Sequence, residues 1–198
     1  METVPIFANY LVFDELQVSN RKDLISFCYK QVEEGKAEAE DNVSQSLFIN
    51  PSEPVIQELG TLVNKRFDIL HKERNFNKNY EQAIQKFWAN VNNNANISMP
   101  HRHPESFFSA IYYPQVGKNP GTLSFLNPNQ QHSYVITPDH IEEFDEFNSA
   151  LFHVTPRPDL LIIFPSWLWH FVRYDGGDSE DRISIAFDTI IRKKNVHT

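Results

Sequence analysis

Five side chains in the second half of the chain have types and spacings suited to holding a metal ion and an anion. His101 and His103 lie in Pro100-His101-Arg102-His103-Pro104-Glu105-Ser106. On an extended strand, residues i and i+2 point to the same face, so both imidazoles can converge on one ion. Imidazole suits iron, copper, nickel and zinc, so the residue type does not select the metal. His170 offers a third ligand, at the end of Phe164-Pro165-Ser166-Trp167-Leu168-Trp169-His170. An unpaired polar group in such an apolar run costs ~1–3 kcal/mol, which a metal or a carbonyl oxygen would relieve. Arg182 and Ser184, in Asp181-Arg182-Ile183-Ser184-Ile185, offer a fork of donors and a hydroxyl on one strand face. Arg grips carboxylates through two parallel hydrogen bonds. Each feature also has an ordinary reading: surface histidines beside a turn, a core histidine bonded to a carbonyl, a solvated face with Arg182 paired to an acid. Their occurrence together, in this order, argues for a site.

The elements that must position these residues fall into two parts. Residues 1–85 read as mainly helical. Asn20 or Ser19 caps a helix from Arg21 to about Glu34, with Leu24, Phe27, Cys28 and Gln31 at helical spacing. Gly35 to Ser46 reads as a loop. Ser52-Glu53-Pro54 starts a second helix, striped by Val55, Leu59, Leu62, Val63, Phe67 and Leu70 and ending near Glu73. From residue 86 the pattern becomes short apolar runs between turn residues, the mark of antiparallel strands in a sandwich or barrel. The expected strands are Phe87–Val91, Phe107–Tyr113, Thr122–Phe125, Tyr134–Ile136, Leu151–Val154, Leu160–Phe164, Trp167–Tyr174 and Arg182–Ile191. Alternation on the last puts Arg182, Ser184, Ala186 and Asp188 on one face and Ile183, Ile185, Phe187 and Thr189 on the other. So apolar a face must be covered, and the two amphipathic helices need such a surface. The reading is one domain, 1–198, mainly β (α+β): a jelly roll over 86–191 with the helices of 1–85 packed on one outer sheet.

Composition excludes several devices. Of 198 residues, 40% are hydrophobic, enough for a core, and the formal net charge is -8 with no basic run, which gives no nucleic-acid signature. Six glycines leave no Gly-rich phosphate loop or dinucleotide fingerprint. One cysteine, Cys28, excludes an internal disulfide framework and a Cys-based zinc site. No secretory signal or membrane span is read, since spanning needs about 20 apolar residues, and a cytoplasmic location is expected.

Here the sequence resembles a known family. His101-Arg102-His103-Pro104-Glu105-Ser106, then Tyr112-Tyr113, the strand Gly121-Thr122-Leu123-Ser124-Phe125, Phe164 to His170, and Arg182-Ile183-Ser184 look like the 2-oxoglutarate- and iron(II)-dependent oxygenases, in a bacterial and phage branch with H-x-H-P-x-S, F-P-S-W-L-x-H and R-I-S. The resemblance covers roughly residues 86–191. It implies a double-stranded β-helix, cupin-like, with Fe(II) held by His101, His103 and His170. 2-Oxoglutarate would be held at its far carboxylate by Arg182 and Ser184, with Tyr113 as a further contact. The implied reaction consumes O2, decarboxylates 2-oxoglutarate to succinate and oxidises a substrate, most simply by hydroxylation. The family's second ligand is usually a carboxylate, and this sequence has His103 in that place. The other register, His103-Pro104-Glu105, restores H-x-E. Asn90 or Asn92, before the ligands, is a further candidate contact.

Two other functional readings stand beside this one: a three-histidine cupin-type metal enzyme without 2-oxoglutarate, and a non-enzymatic jelly-roll binding module. The remaining features read as structural. His71 belongs on a solvated helix end, His132 and His140 lie in polar loops, and Trp167 and Trp169 are expected in core or helix packing. Glu142 to Glu146 is a solvated acidic stretch. The substrate, a small molecule or a peptidyl residue, is not encoded in the loops around 115–120 and 130–149. The aromatic surplus fits a homodimer interface as well as a core.

Overall fold

A computed structural model describes residues 2, 9–39, 48–92, 98–129, 137–145, 147–173 and 180–194. Two helices and nine strands are present among them: β1 Val12–Glu15, α1 Arg21–Ala39, α2 Pro54–Glu73, β2 Tyr80–Asn92, β3 Ser98–His101, β4 Phe108–Gln115, β5 Thr122–Leu126, β6 Leu151–Val154, β7 Leu160–Pro165, β8 His170–Arg173 and β9 Arg182–Lys193. They form a five-stranded sheet of order β1-β7-β4-β9-β2 and a four-stranded sheet of order β3-β8-β5-β6. All of the pairings are antiparallel.

Alternation along the larger sheet builds two cores. Phe87 and Ala89 of β2, Phe108, Ala110 and Tyr112 of β4, Leu161 and Ile163 of β7, and Ile183, Ile185 and Phe187 of β9 face the helices. They meet Leu24 and Cys28 of α1 and Ile56, Leu59, Val63, Phe67 and Leu70 of α2. The opposite parity, Tyr113, Leu160, Ile162 and Phe164, packs between the sheets against Leu123 and Phe125 of β5 and Val154 of β6. The apolar face of β9 is therefore the one the helices cover, and its polar face points into the space between the sheets.

Local chemistry sets the element ends. Pro54 occupies the first turn of α2, where its missing N–H costs nothing, with extended Glu53 before it. Ser19 and Asn20 do not cap α1 through their side chains. Ser19 donates through Oγ and its backbone N–H to Glu58, and Asn20 donates to the Val55 carbonyl, so both tie the start of α1 to α2. Asp159, before β7, adopts φ 65°. Its carboxylate accepts from Tyr112 (3.0 Å) and Arg21 (2.6 Å), anchoring the sheet to the first turn of α1.

Several expectations are corrected. Helix α1 runs to Ala39 rather than to Glu34. Strand β8 begins at His170, because Pro165 to Leu168 form a turn closed by the Leu168 N–H and the Pro165 carbonyl. Trp167, on that turn, and Trp169, just after it, are 49% and 41% exposed instead of packed in a core. His71 is buried, not solvated: it lies against Phe76, and its Nε2 is 3.1 Å from the Asn77 carbonyl. Strand β1 was not expected, and the run Phe87–Val91 extends to a 13-residue strand starting at Tyr80. Tyr134–Ile136 and His132 lie outside the described residues. His140 sits exposed in a 3-10 turn, Pro138–His140. No helix among the described residues is long and apolar enough to cross a membrane.

Candidate metal and cosubstrate site

The turn after β7 assembles the site. Pro165 and Phe108 are register partners, which brings Ser166 beside the segment that leaves β3. The Ser166 carbonyl accepts from the His103 N–H (2.9 Å), and the Ser166 N–H donates to the Phe107 carbonyl (3.2 Å). Strand β3 ends at His101, which is the register partner of His170, the first residue of β8. The F-P-S-W-L-x-H run is thus a strand, a turn that holds His103, and a strand that starts on the third histidine.

One ring nitrogen from each of His101, His103 and His170 lies within 4.8 Å of the others. Their outer nitrogens are all engaged. Nδ1 of His101 is 2.8 Å from the Met99 carbonyl, and Nδ1 of His170 is 2.9 Å from the Leu168 carbonyl. Nδ1 of His103 is 2.7 Å from Asp188 Oδ1. Carbonyl and carboxylate oxygens only accept, so Nδ1 carries a proton in each ring and Nε2 is the nitrogen available to a metal. Burial, above all, pushes the pKa of His170 down to about 3 and lowers that of His101, which keeps both rings neutral and metal-ready near pH 7. Three Nε2 donors with their other nitrogens held by acceptors match the chemistry of an imidazole-bound transition metal such as iron.

Behind His103 stands a polar network between buried residues. Asp188 Oδ1 also accepts from Ser109 Oγ (2.6 Å), whose hydroxyl is 2.9 Å from that of Ser166. Ser109 has one proton and directs it to Asp188, so Ser166 donates to Ser109.

The histidines line a cavity of about 270 Å³ that also contains Tyr113, Arg182 and Ser184. Arg182 and Ser184 are buried on the inward face of β9. The Arg182 guanidinium lies 5.9 Å from the Tyr113 ring centroid and donates to the Pro120 carbonyl at 3.4 Å. Asn90, the register partner of Ser184, donates to its hydroxyl at 3.5 Å, and Asn92 is the register partner of Arg182. Both asparagines line the cavity. Glu105 is not part of the cluster. It is exposed, in a turn at φ 67°, so the H-x-E register places a carboxylate outside the group of three.

Sequence reasoning missed Trp88, which lines the cavity with its ring 5.5 Å from that of His103. Period-2 alternation with Asn90 and Asn92 was the available signal. It also left Asp188 without a role, although the residue stands on the same face as Arg182 and Ser184.

The model of a 2OG-Fe(II) oxygenase family matches residues 86–188. No curated protein matches the chain. Among solved structures, a Pseudomonas putida prolyl-4-hydroxylase is 13% identical with a TM-score of 0.62, the alignment covering 94% of each chain. A Trichoplax adhaerens prolyl hydroxylase in complex with a hypoxia inducible factor oxygen degradation domain peptide fragment is 14% identical (TM-score 0.60, covering 92% of this chain and 84% of that one). HygX of Streptomyces hygroscopicus, with nickel, 2-oxoglutarate and hygromycin B bound, is 10% identical (TM-score 0.56, covering 96% and 85%). At such identities the likeness is one of fold, and that fold is the double-stranded β-helix.

Proposed function

The chain belongs to the 2OG-Fe(II) oxygenase family, and from that membership we propose that His101, His103 and His170 hold its iron, that Arg182 and Ser184 hold the far carboxylate of 2-oxoglutarate beside Tyr113, and that the reaction is a hydroxylation. The enzyme is an Fe(II)/2-oxoglutarate-dependent oxygenase, and bound iron supplies the site for O2 activation at the expense of 2-oxoglutarate. The observation that carries the residue assignment is the convergence of three imidazoles, each with Nδ1 occupied, in one cavity with a buried arginine.

The protein's own groups divide the work. The three rings orient the metal. Arg182 neutralises and aligns the cosubstrate, whose carboxylate gains charge-assisted hydrogen bonds in a site screened from water. Tyr113, Leu123, Phe164 and Val172 provide low-polarity walls. A cavity of 270 Å³ is just under the ~300–1,000 Å³ usual for small-molecule sites, so it suits a small dicarboxylate with the substrate approaching from the mouth. That substrate is read as a small molecule or a peptidyl residue.

Anaerobic titration of the metal-free protein with Fe(II), with and without 2-oxoglutarate, tests this. The visible charge-transfer band of the ternary complex should appear in the wild type and vanish in His170→Ala. Iron binding undiminished in that variant would overturn the ligand assignment.

A further inference from the structure

Asp188 is buried and plays no part in the ligand or cosubstrate sets above. Its side chain is 8% exposed and its Oδ1 lies 2.7 Å from Nδ1 of His103. Resting on the assignment of His103 as an iron ligand, we infer that Asp188 supplies through His103 the negative charge that a carboxylate ligand would otherwise place on the metal.

Two histidines and one carboxylate reduce a divalent ion to a net +1, whereas three neutral imidazoles leave it at +2. A carboxylate that accepts the outer N–H of a ligating imidazole makes the ring a stronger donor and fixes its tautomer. With Asp188 counted, the site carries one negative charge in total, displaced outward by one ring. Of the three rings, His103 alone has a carboxylate partner; His101 and His170 bond to main-chain carbonyls. The ring that stands where the H-x-D/E pattern would have its acid is therefore the one that carries an acid behind it.

The remaining contacts fit a fixed charge. Ser109 donates to the same Oδ1 at 2.6 Å, and Ser166 stands behind Ser109. Ser166 also holds the His103 backbone N–H through its carbonyl. The chain Ser166–Ser109–Asp188 thus sets the position of the carboxylate, and the same turn sets the position of the ring it serves. Asp188 is a positioning residue that acts through His103.

Metal affinity tests the inference, with Co(II) as the probe because its visible absorption reports both binding and ligand geometry. Asp188→Asn keeps an acceptor beside His103 but removes the charge, and it should weaken Co(II) binding about 10–100-fold. In a His103→Asp background, where a carboxylate has moved to the metal itself, the same Asp188→Asn change should weaken binding by less than about threefold, a non-additivity that marks one shared role. Equal losses in both backgrounds, or wild-type affinity in Asp188→Asn, would overturn the inference. Should Asp188→Asn fail to fold, cobalt-loaded wild type still decides: an exchangeable, paramagnetically shifted N–H signal assigned to the His103 ring is expected, and its absence while that of buried His170 is seen would overturn the inference. His170→Ala, run in parallel, separates the two levels. Undiminished Co(II) binding there defeats the three-histidine site, whereas loss of binding there with no loss in Asp188→Asn defeats the role of Asp188 alone.

Discussion

Arg182 sets the terms for cosubstrate binding at the scale of single residues. A lysine in its place keeps the charge but loses the planar fork, and a charge-assisted hydrogen bond is worth about 1.5–3 kcal/mol. Arg182→Lys should therefore raise the KM for 2-oxoglutarate roughly 10–100-fold, and Ser184→Ala, removing one neutral donor, about fivefold. Fe(II) affinity should stay near wild type in both, because neither side chain belongs to the histidine cluster. Steady-state succinate formation with a parallel metal titration checks both halves. A matching loss of metal would show that Arg182 supports the fold of the site and not the cosubstrate. Arg182 and Ser184 were legible because an Arg-x-Ser pair on an amphipathic strand declares its own face. Asp188 shares that face but was not legible as a partner of His103. That contact spans 85 positions and depends on the turn at Ser166, which only the folded chain brings there.

At the scale of elements, the helices cover the sheet through side chains that are wholly buried. Leu59, Val63 and Phe67 of α2 have no exposure, and neither does Cys28 of α1. Truncating Phe67 to Ala removes its transfer energy and leaves a cavity, for a cost of about 3–5 kcal/mol, measurable as a lower midpoint in urea unfolding. Burial also pushes the Cys28 thiol up to about 12 from its ordinary 9.0. The folded thiol should resist iodoacetamide at pH 8 and react once the chain is unfolded in denaturant. The sign for stability follows: above pH 9 the unfolded thiol releases its proton while the folded one keeps it. Stability then falls by about 1.4 kcal/mol per pH unit from this group as pH rises from 9 to 12. Tyr112, raised first by burial and then by its bond to Asp159, acts in the same direction above pH 10. Helical stripes of this kind are strong sequence signals, which is why α2 was placed within a residue of its observed ends. Strands β1 and β3 have four residues each and take their stability from β7 and β8, so neither carries a periodic signal of its own. The apolar run Trp167–Trp169 misled for a related reason: hydrophobicity alone does not distinguish a strand from an exposed aromatic turn.

For the whole molecule, the division into helical support and β core hides a dependence. Strand β1, from the N-terminal part, pairs with β7 through four register partners and covers that edge of the larger sheet. The helices cover the outer face that presents Phe87, Phe108, Tyr112, Leu161, Ile163, Ile183, Ile185 and Phe187. A chain beginning at Tyr80 would keep every residue of the family match, 86–188, and every proposed ligand. It would nonetheless expose a contiguous apolar face far larger than the few hundred Å² that soluble monomers tolerate, together with an open β7 edge able to pair with another chain. Residues 1–198 are accordingly proposed to fold as one unit. The truncated chain should aggregate, or bind a hydrophobic dye strongly and melt without cooperativity, whereas the full chain should unfold in a single transition that is the same by near-UV and far-UV circular dichroism. A soluble truncated chain that retains Co(II) affinity and a cooperative melt would show that the β core stands alone. The N-terminal helices would then be an addition to the enzyme rather than the surface on which its β9 strand, and with it Arg182 and Asp188, is held in place.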